Sequence, residues 1–249
     1  MLVESSYTVD AGHGGLTMEV RDAVVETVEQ HNFARVVDAM PQDTFDELVV
    51  ATNAVHTYLV SQGEVKTNEA KGGYQSALVV RQTPPGVRSG FVRSVFDVTD
   101  ALHEGAERGP KKGRMRTSYS DIHKLQINTY LPGTEIKNHV DKESGVAVVV
   151  SVKGQANTSL TVPNLWWTKD VAVAEFTGKP NEVLIFPSFV GKHGKRRKDR
   201  ISHGMVNSTP AEDNDGVRQT IAVVYGFDAN WIRQIGFPSY DQMLHRPQS

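Results

Sequence analysis

The apolar residues of this chain are spaced in two different ways. Over the first hundred residues the spacing is mostly helical. MEVRDAVVETVEQHNFARVVDAM, from Met18 to Met40, sets Val20, Val24 and Val28 four apart with Val25 beside them, which predicts one helix. After Pro41, TFDELVVATNAVHTYLV puts Phe45, Leu48, Val49, Val55 and Leu59 on one stripe, with Asp43 or Thr44 as the cap. SALVVRQ (76–82) reads as a strand, and the segment from Ser89 to Gly105 as another amphipathic helix.

From about residue 120 the pattern changes. HKLQINTYL, GVAVVVSVKG, NTSLTVP, VAVAEFT, EVLIFPS, GMVNST and VRQTIAVVYGF are short runs rich in Val, Ile, Thr and aromatics, punctuated by Gly, Pro, Asn and Asp. Many short strands with no helices between them predict a sandwich or barrel, of which the double-sheet jelly roll is one form. The expected class is therefore mainly β with N-terminal helices packed against one sheet.

Composition adds limits. The chain has 249 residues, 39% hydrophobic and 22% charged, which is ordinary for a globular protein with a substantial core. No apolar run approaches the ~18 residues of a membrane span. The N-terminus lacks a basic start followed by an apolar stretch, so a cytoplasmic protein is expected. With Cys 0 there are no disulfides and no thiolate ligands, so any metal must be held by His, Asp or Glu. The net charge of −2 hides a segregation. RGPKKGRMR (108–116) has five basic side chains and no acid, and KHGKRRKDR (192–200) has six and one acid. Two such segments read either as solvated loops or as a polyanion-binding surface.

The chemistry concentrates in NTYLPGTEIKNHVDKE, residues 128–143. His139 and Asp141 are two apart, so on a strand they share a face. With nine His in the chain, one such triplet is unsurprising by chance and decides nothing alone. His203, however, opens a later strand, and two His with one carboxylate make the facial triad that leaves positions open on ferrous iron. Arg218 opens the last strand, where its fork could bind a carboxylate through two bonds. Thr220 shares its face, as Asn128 shares that of Tyr130.

This order of residues resembles the Fe(II)/2-oxoglutarate-dependent dioxygenases. The local match is to AlkB-type enzymes: Asn128 and Tyr130, the turn at Pro132–Gly133, His139-x-Asp141, then Lys142 and Glu143. HGM at 203–205 resembles the distal histidine, with His193 as the alternative, and Arg218 resembles the 2-oxoglutarate arginine. Two features depart from that pattern. AlkB-type enzymes carry a second Arg where this chain has Val224. LIFPS (184–188) resembles instead a strand of prolyl-hydroxylase-like relatives.

The resemblance implies a double-stranded β-helix, with Fe(II), 2-oxoglutarate and dioxygen as cofactor and co-substrates. It covers about residues 120–228, the expected jelly-roll core; with a mostly helical support region to 119 and a C-terminal extension over 229–249, one oxygenase domain over 1–249 is expected. His139, Asp141 and His203 would hold the metal; Arg218, Tyr130, Asn128 and Thr220 would hold 2-oxoglutarate. Together with the basic segments it implies hydroxylation or oxidative demethylation of a nucleobase in DNA or RNA, with Lys195, Arg196, Arg197 and Lys198 at the substrate. The alternatives are a hydroxylase of peptidyl or free amino acids, and a cupin-like binding module without catalysis, which would not need Arg218.

Overall fold

The computed structural model describes residues 2–31, 33–69, 73–79, 122–139, 145–162, 171–188 and 201–226. Two sheets face each other. Among the described residues the larger contains eight strands in the order β1-β2-β10-β7-β12-β5-β4-β3, and the smaller four, in the order β6-β11-β8-β9. The larger sheet contains β1 (Thr8–Asp10), β2 (Ala34–Val37), β3 (Val65–Asn68), β4 (Tyr74–Leu78), β5 (Ile122–Tyr130), β7 (Gly145–Lys153), β10 (Val183–Ser188) and β12 (Arg218–Gly226). The smaller contains β6 (Glu135–His139), β8 (Ala156–Val162), β9 (Val171–Gly178) and β11 (Ser202–Asn207). From β5 onward the chain passes back and forth between the sheets, with only β8 and β9 consecutive in one. That winding is a double-sheet jelly roll, one of the forms the strand pattern allows, and the double-stranded β-helix that the resemblance implies.

The strand GVAVVVSVK lies at the centre of the larger sheet between β10 and β12, which explains its nearly continuous apolar run. Val148, Val150 and Val152 face one side, and Ala147, Val149 and Ser151 the other. The first set meets two helices. Val24 and Val28 of α2 (Met18–His31) and Phe45, Leu48, Val55 and Leu59 of α3 (Gln42–Ser61) bury against Ile127, Val150, Ile185, Ile221 and Val223. Thr52 sits fully buried in α3, its hydroxyl donating to the Leu48 carbonyl at 2.7 Å, so no polar atom is stranded there. A second cluster lies between the sheets. It joins Phe33, Ala147 and Phe186 to Leu160 and Ala174, under Tyr7 of the short α1 (Glu4–Tyr7).

Three expectations are corrected. The helix predicted over 18–40 ends at His31, and Ala34–Val37 is a strand. The four-residue stripe would next fall on polar Asn32, while FARVV alternates. Ala34 and Val36 enter the helix-side core, and Phe33 turns toward the opposite sheet. Pairing with β10 and β1 overrides the helical spacing. Among the described residues, the first hundred also supply four strands rather than one. Finally, α3 begins at Gln42 with Pro41 at its cap position, and neither Asp43 nor Thr44 caps it. The helix expected from Ser89 lies outside the described residues. Among the described residues no helix is long and apolar enough to cross a membrane.

Candidate active site

The inward faces of the two sheets enclose a cavity of about 110 Å³. Its floor is set by strand register. On β12 and β5, Arg218 pairs with Tyr130, Thr220 with Asn128 and Ala222 with Gln126. Ser151 of β7 stands opposite Thr220 on the other side. The period of two therefore brings Arg218, Thr220, Ser151, Asn128, Gln126 and Tyr130 to one polar patch at the cavity.

Arg218 is the dominant charge there. It is 6% exposed. Its Nη2 donates to Ser151 Oγ at 3.2 Å and its Nη1 lies 3.0 Å from Met205 Sδ. Its guanidinium carbon stands 5.7 Å from the Tyr130 ring centroid. Among the described residues the Nε has no hydrogen-bond partner, and neither does the hydroxyl of fully buried Thr220. No carboxylate among the described residues pairs with this guanidinium. Burial lowers its pKa from the usual arginine value, with Tyr130 and Glu182 pulling the other way. Arginine remains charged regardless. Buried polar atoms are normally satisfied, so these open donors fit an acid as ligand. Asn128 is oriented as well: its Oδ1 accepts from Gln126 Nε2 at 2.7 Å, which leaves its amide NH2 to donate.

The smaller sheet brings two imidazoles to the same cavity. The turn at Pro132–Gly133, with Gly133 at φ 72°, reverses the chain from β5 into β6. On β6 and β11, His139 and His203 are direct cross-strand partners, with ring centroids 4.4 Å apart. Phe186 of β10 packs against His203 at 4.6 Å. A bulge between His203 and Met205 sets this register. Gly204 makes it feasible, because a Cβ there would stand 2.1 Å from Asn138 Oδ1 and 2.9 Å from the Asn138 nitrogen. His139 Nδ1 lies 3.0 Å from the Lys137 carbonyl. A carbonyl only accepts, so Nδ1 carries the proton and Nε2 the lone pair of the neutral ring, the arrangement in which His serves as a metal ligand.

Of the seven residues expected to hold the metal and 2-oxoglutarate, the structure thus brings six around one cavity: His139, His203, Arg218, Thr220, Asn128 and Tyr130. Asp141 lies outside the described residues. So do His193, the segment 108–116, and Lys195, Arg196, Arg197 and Lys198. Among the described residues no three His, Asp or Glu side chains are grouped to share a metal ion.

Sequence reading missed Ser151, Gln126, Arg35 and Glu182, which also line the cavity. Ser151 left a signal, as the one hydroxyl within a valine run. Arg35 left one too, as a charge in the middle of FARVV. On β2 it is buried and donates to both oxygens of Glu182, at 2.9 and 2.8 Å, and to Glu4. Burial works against its charge, but the bonds and charges of Glu182 and Glu4 outweigh burial, and its pKa is raised.

No protein-family model matches the chain, and no curated protein matches it in sequence. Solved structures do match in three dimensions. A prolyl hydroxylase from Trichoplax adhaerens, in complex with a hypoxia inducible factor peptide fragment, superposes with a TM-score of 0.58 at 15% identity, over 86% of this chain and 92% of that one. The fold is shared with 2OG-Fe(II) oxygenases. An oxidoreductase of that family from Burkholderia pseudomallei matches with a TM-score of 0.53 at 10% identity, over 84% and 91% of the two chains. A full-length Neurospora crassa protein in complex with alpha-KG (2-oxoglutarate) matches with a TM-score of 0.54 at 14% identity, over 95% and 94%. At such identities the likeness is one of architecture, and it agrees with the strand winding described above.

Proposed function

We propose that this chain is an Fe(II)- and 2-oxoglutarate-dependent oxygenase that hydroxylates, or oxidatively demethylates, its substrate. One observation supports this above the rest. A buried arginine that no carboxylate among the described residues pairs with shares a cavity with two adjacent imidazoles. A cupin-like binding module would have no use for the arginine.

His139 and His203, with Asp141, would hold ferrous iron, and the donor set suits it. When bound, iron supplies the dioxygen chemistry that side chains lack. The chain's own work is to bind and orient. Arg218 receives the far carboxylate of 2-oxoglutarate on its planar fork. Thr220, Tyr130 and the Asn128 amide donate to the same acid. Phe186 and the inter-sheet core keep water from the imidazole side.

For the substrate, the two basic segments favour a nucleobase in DNA or RNA, since phosphate neutralisation dominates nucleic-acid affinity. A peptidyl or free amino acid is the second reading. It is favoured by LIFPS and by prolyl hydroxylases among the matching structures, one of them with a bound peptide.

Fe(II)- and oxygen-dependent release of succinate from 2-oxoglutarate tests the chemistry. Its absence, together with no calorimetric binding of 2-oxoglutarate to the Mn(II)-loaded protein, would return the chain to the binding modules. A salt titration of single-stranded DNA and RNA binding tests the substrate. Affinity should fall steeply with salt, and changing Lys195, Arg196, Arg197 and Lys198 to Ala should flatten that slope. No binding at low salt would favour the amino-acid reading.

A further inference from the structure

Two guanidinium groups and one carboxylate meet at the cavity. Arg35 on β2, Glu182 just before β10, and Arg218 on β12 all line it. Arg35 is tied down on several sides. Its Nε and Nη2 hold the two oxygens of Glu182, and Nη2 also donates to the Thr177 carbonyl at 3.1 Å. Nη1 pairs with Glu4 of α1, and the guanidinium stacks 4.7 Å from the Phe176 ring centroid. Ser151 links this pair to Arg218. The Ser151 nitrogen donates to the Glu182 carbonyl at 2.8 Å, and its hydroxyl accepts from Arg218 Nη2. On the other side, Gly178 follows Thr177, and its Cβ position would lie 3.7 Å from Arg218 Nη2.

This proximity poses a difficulty for any acid that enters from solution. A carboxylate belonging to the protein needs no association entropy to reach a nearby guanidinium, whereas a ligand does. Glu182 released to turn would be a standing competitor for Arg218. In the structure both of its oxygens are engaged by Arg35.

We propose that Arg35 is a positioning residue for the acid-binding end of the cavity. It holds Glu182 in a bidentate pair and so keeps Arg218 open to the carboxylate of a dicarboxylate ligand. Glu4 braces Arg35 from α1. The inference rests on Arg218 being the receptor for the far carboxylate of 2-oxoglutarate.

The test is calorimetric and needs no turnover. Binding of 2-oxoglutarate, and of 2-oxobutyrate, which lacks the far carboxylate, is measured on Mn(II)-loaded full-length protein. Arg35→Lys keeps a charge but loses the fork, and should weaken 2-oxoglutarate about tenfold while leaving 2-oxobutyrate unchanged, on the scale of one charge-assisted bond. Adding Glu182→Gln should restore the affinity. A loss that falls equally on both ligands, no loss, or no rescue overturns the proposal. If Arg35→Lys does not fold, the neutral pair Arg35→Met with Glu182→Gln decides. Parent-like 2-oxoglutarate binding upholds the proposal, and a tenfold weaker one overturns it. Arg218→Ala separates the layers. If it leaves 2-oxoglutarate binding intact, the reading of Arg218 fails first, whatever the Arg35 variants do.

Discussion

Strands β5, β7 and β12 have two faces of opposite character. Toward the helices they present Ile127, Val148, Val150, Ile221 and Val223, all fully buried or nearly so. Toward the smaller sheet the alternate residues are Gln126, Asn128, Ser151, Arg218 and Thr220, just as buried but polar. One residue of offset separates a dry core from the polar floor of a cavity. The helix-side face supplies the folding free energy that lets the other face keep unsatisfied donors, since burial of those donors is itself unfavourable. Stability and chemistry are thus carried by the same strands on opposite sides, and substitutions should separate them.

The largest effect is expected on the cavity side, at the imidazoles. His139→Ala or His203→Ala should abolish Fe(II) binding, read by calorimetry, with little change in melting temperature. His193→Ala should do neither. If the His193 change removes the metal and the His203 change spares it, the two-histidine pairing is not the metal site.

Next comes the helix side. Ile221→Ala empties a fully buried position and should cost about 2–5 kcal/mol in denaturant unfolding. The protein that remains folded should bind 2-oxoglutarate as before. A loss of affinity without a loss of stability would mean that the two faces are not separate.

Arg218→Lys is smaller. The charge stays, but the fork is lost, so 2-oxoglutarate affinity should fall about ten- to a hundredfold, equivalent to roughly 1.5–3 kcal/mol. The thermal midpoint should barely move.

Thr220→Val is the smallest and the sharpest. The side chains are nearly the same shape, and the hydroxyl has no hydrogen-bond partner among the described residues. Removing an unpaired buried hydroxyl should leave stability unchanged or raise it by up to about 1 kcal/mol, while 2-oxoglutarate binding weakens a few-fold. Destabilisation instead would show that the hydroxyl is satisfied within the fold.

The comparison also explains what was legible in the sequence. The strands beyond residue 120 were readable as short runs rich in Val, Ile, Thr and aromatics set off by Gly, Pro, Asn and Asp, and a strand repeats its faces with a period of two. The shared faces of Asn128 with Tyr130 and of Arg218 with Thr220 followed from the same period. That these two faces form one floor did not follow, because it depends on β5 pairing with β12. Ser151 and Gln126 were missed for that reason, being site residues only through their neighbours in the sheet. Strand β2 was missed because Val36 resumes the four-residue spacing one step beyond polar Asn32, and what makes the segment a strand is its place beside β10. Arg35 and Glu182 lie 147 residues apart, and no local pattern announces such a pair.

The β5–β12 register also has a consequence in time. Thr129 and Gln219 are hydrogen-bonded across 90 residues of sequence. Closing so long a loop is entropically slow, and folding rates fall as such non-local contacts come to dominate. On a ribosome, β5 emerges well before the partner that covers one of its edges. Until β12 arrives, that edge and the edge of β7 are open templates for strands of other chains. Soluble yield should therefore depend on synthesis rate and temperature more than the finished protein's stability would suggest. The polar floor of the cavity, shared between β5 and β12, is among the last features of the molecule to exist.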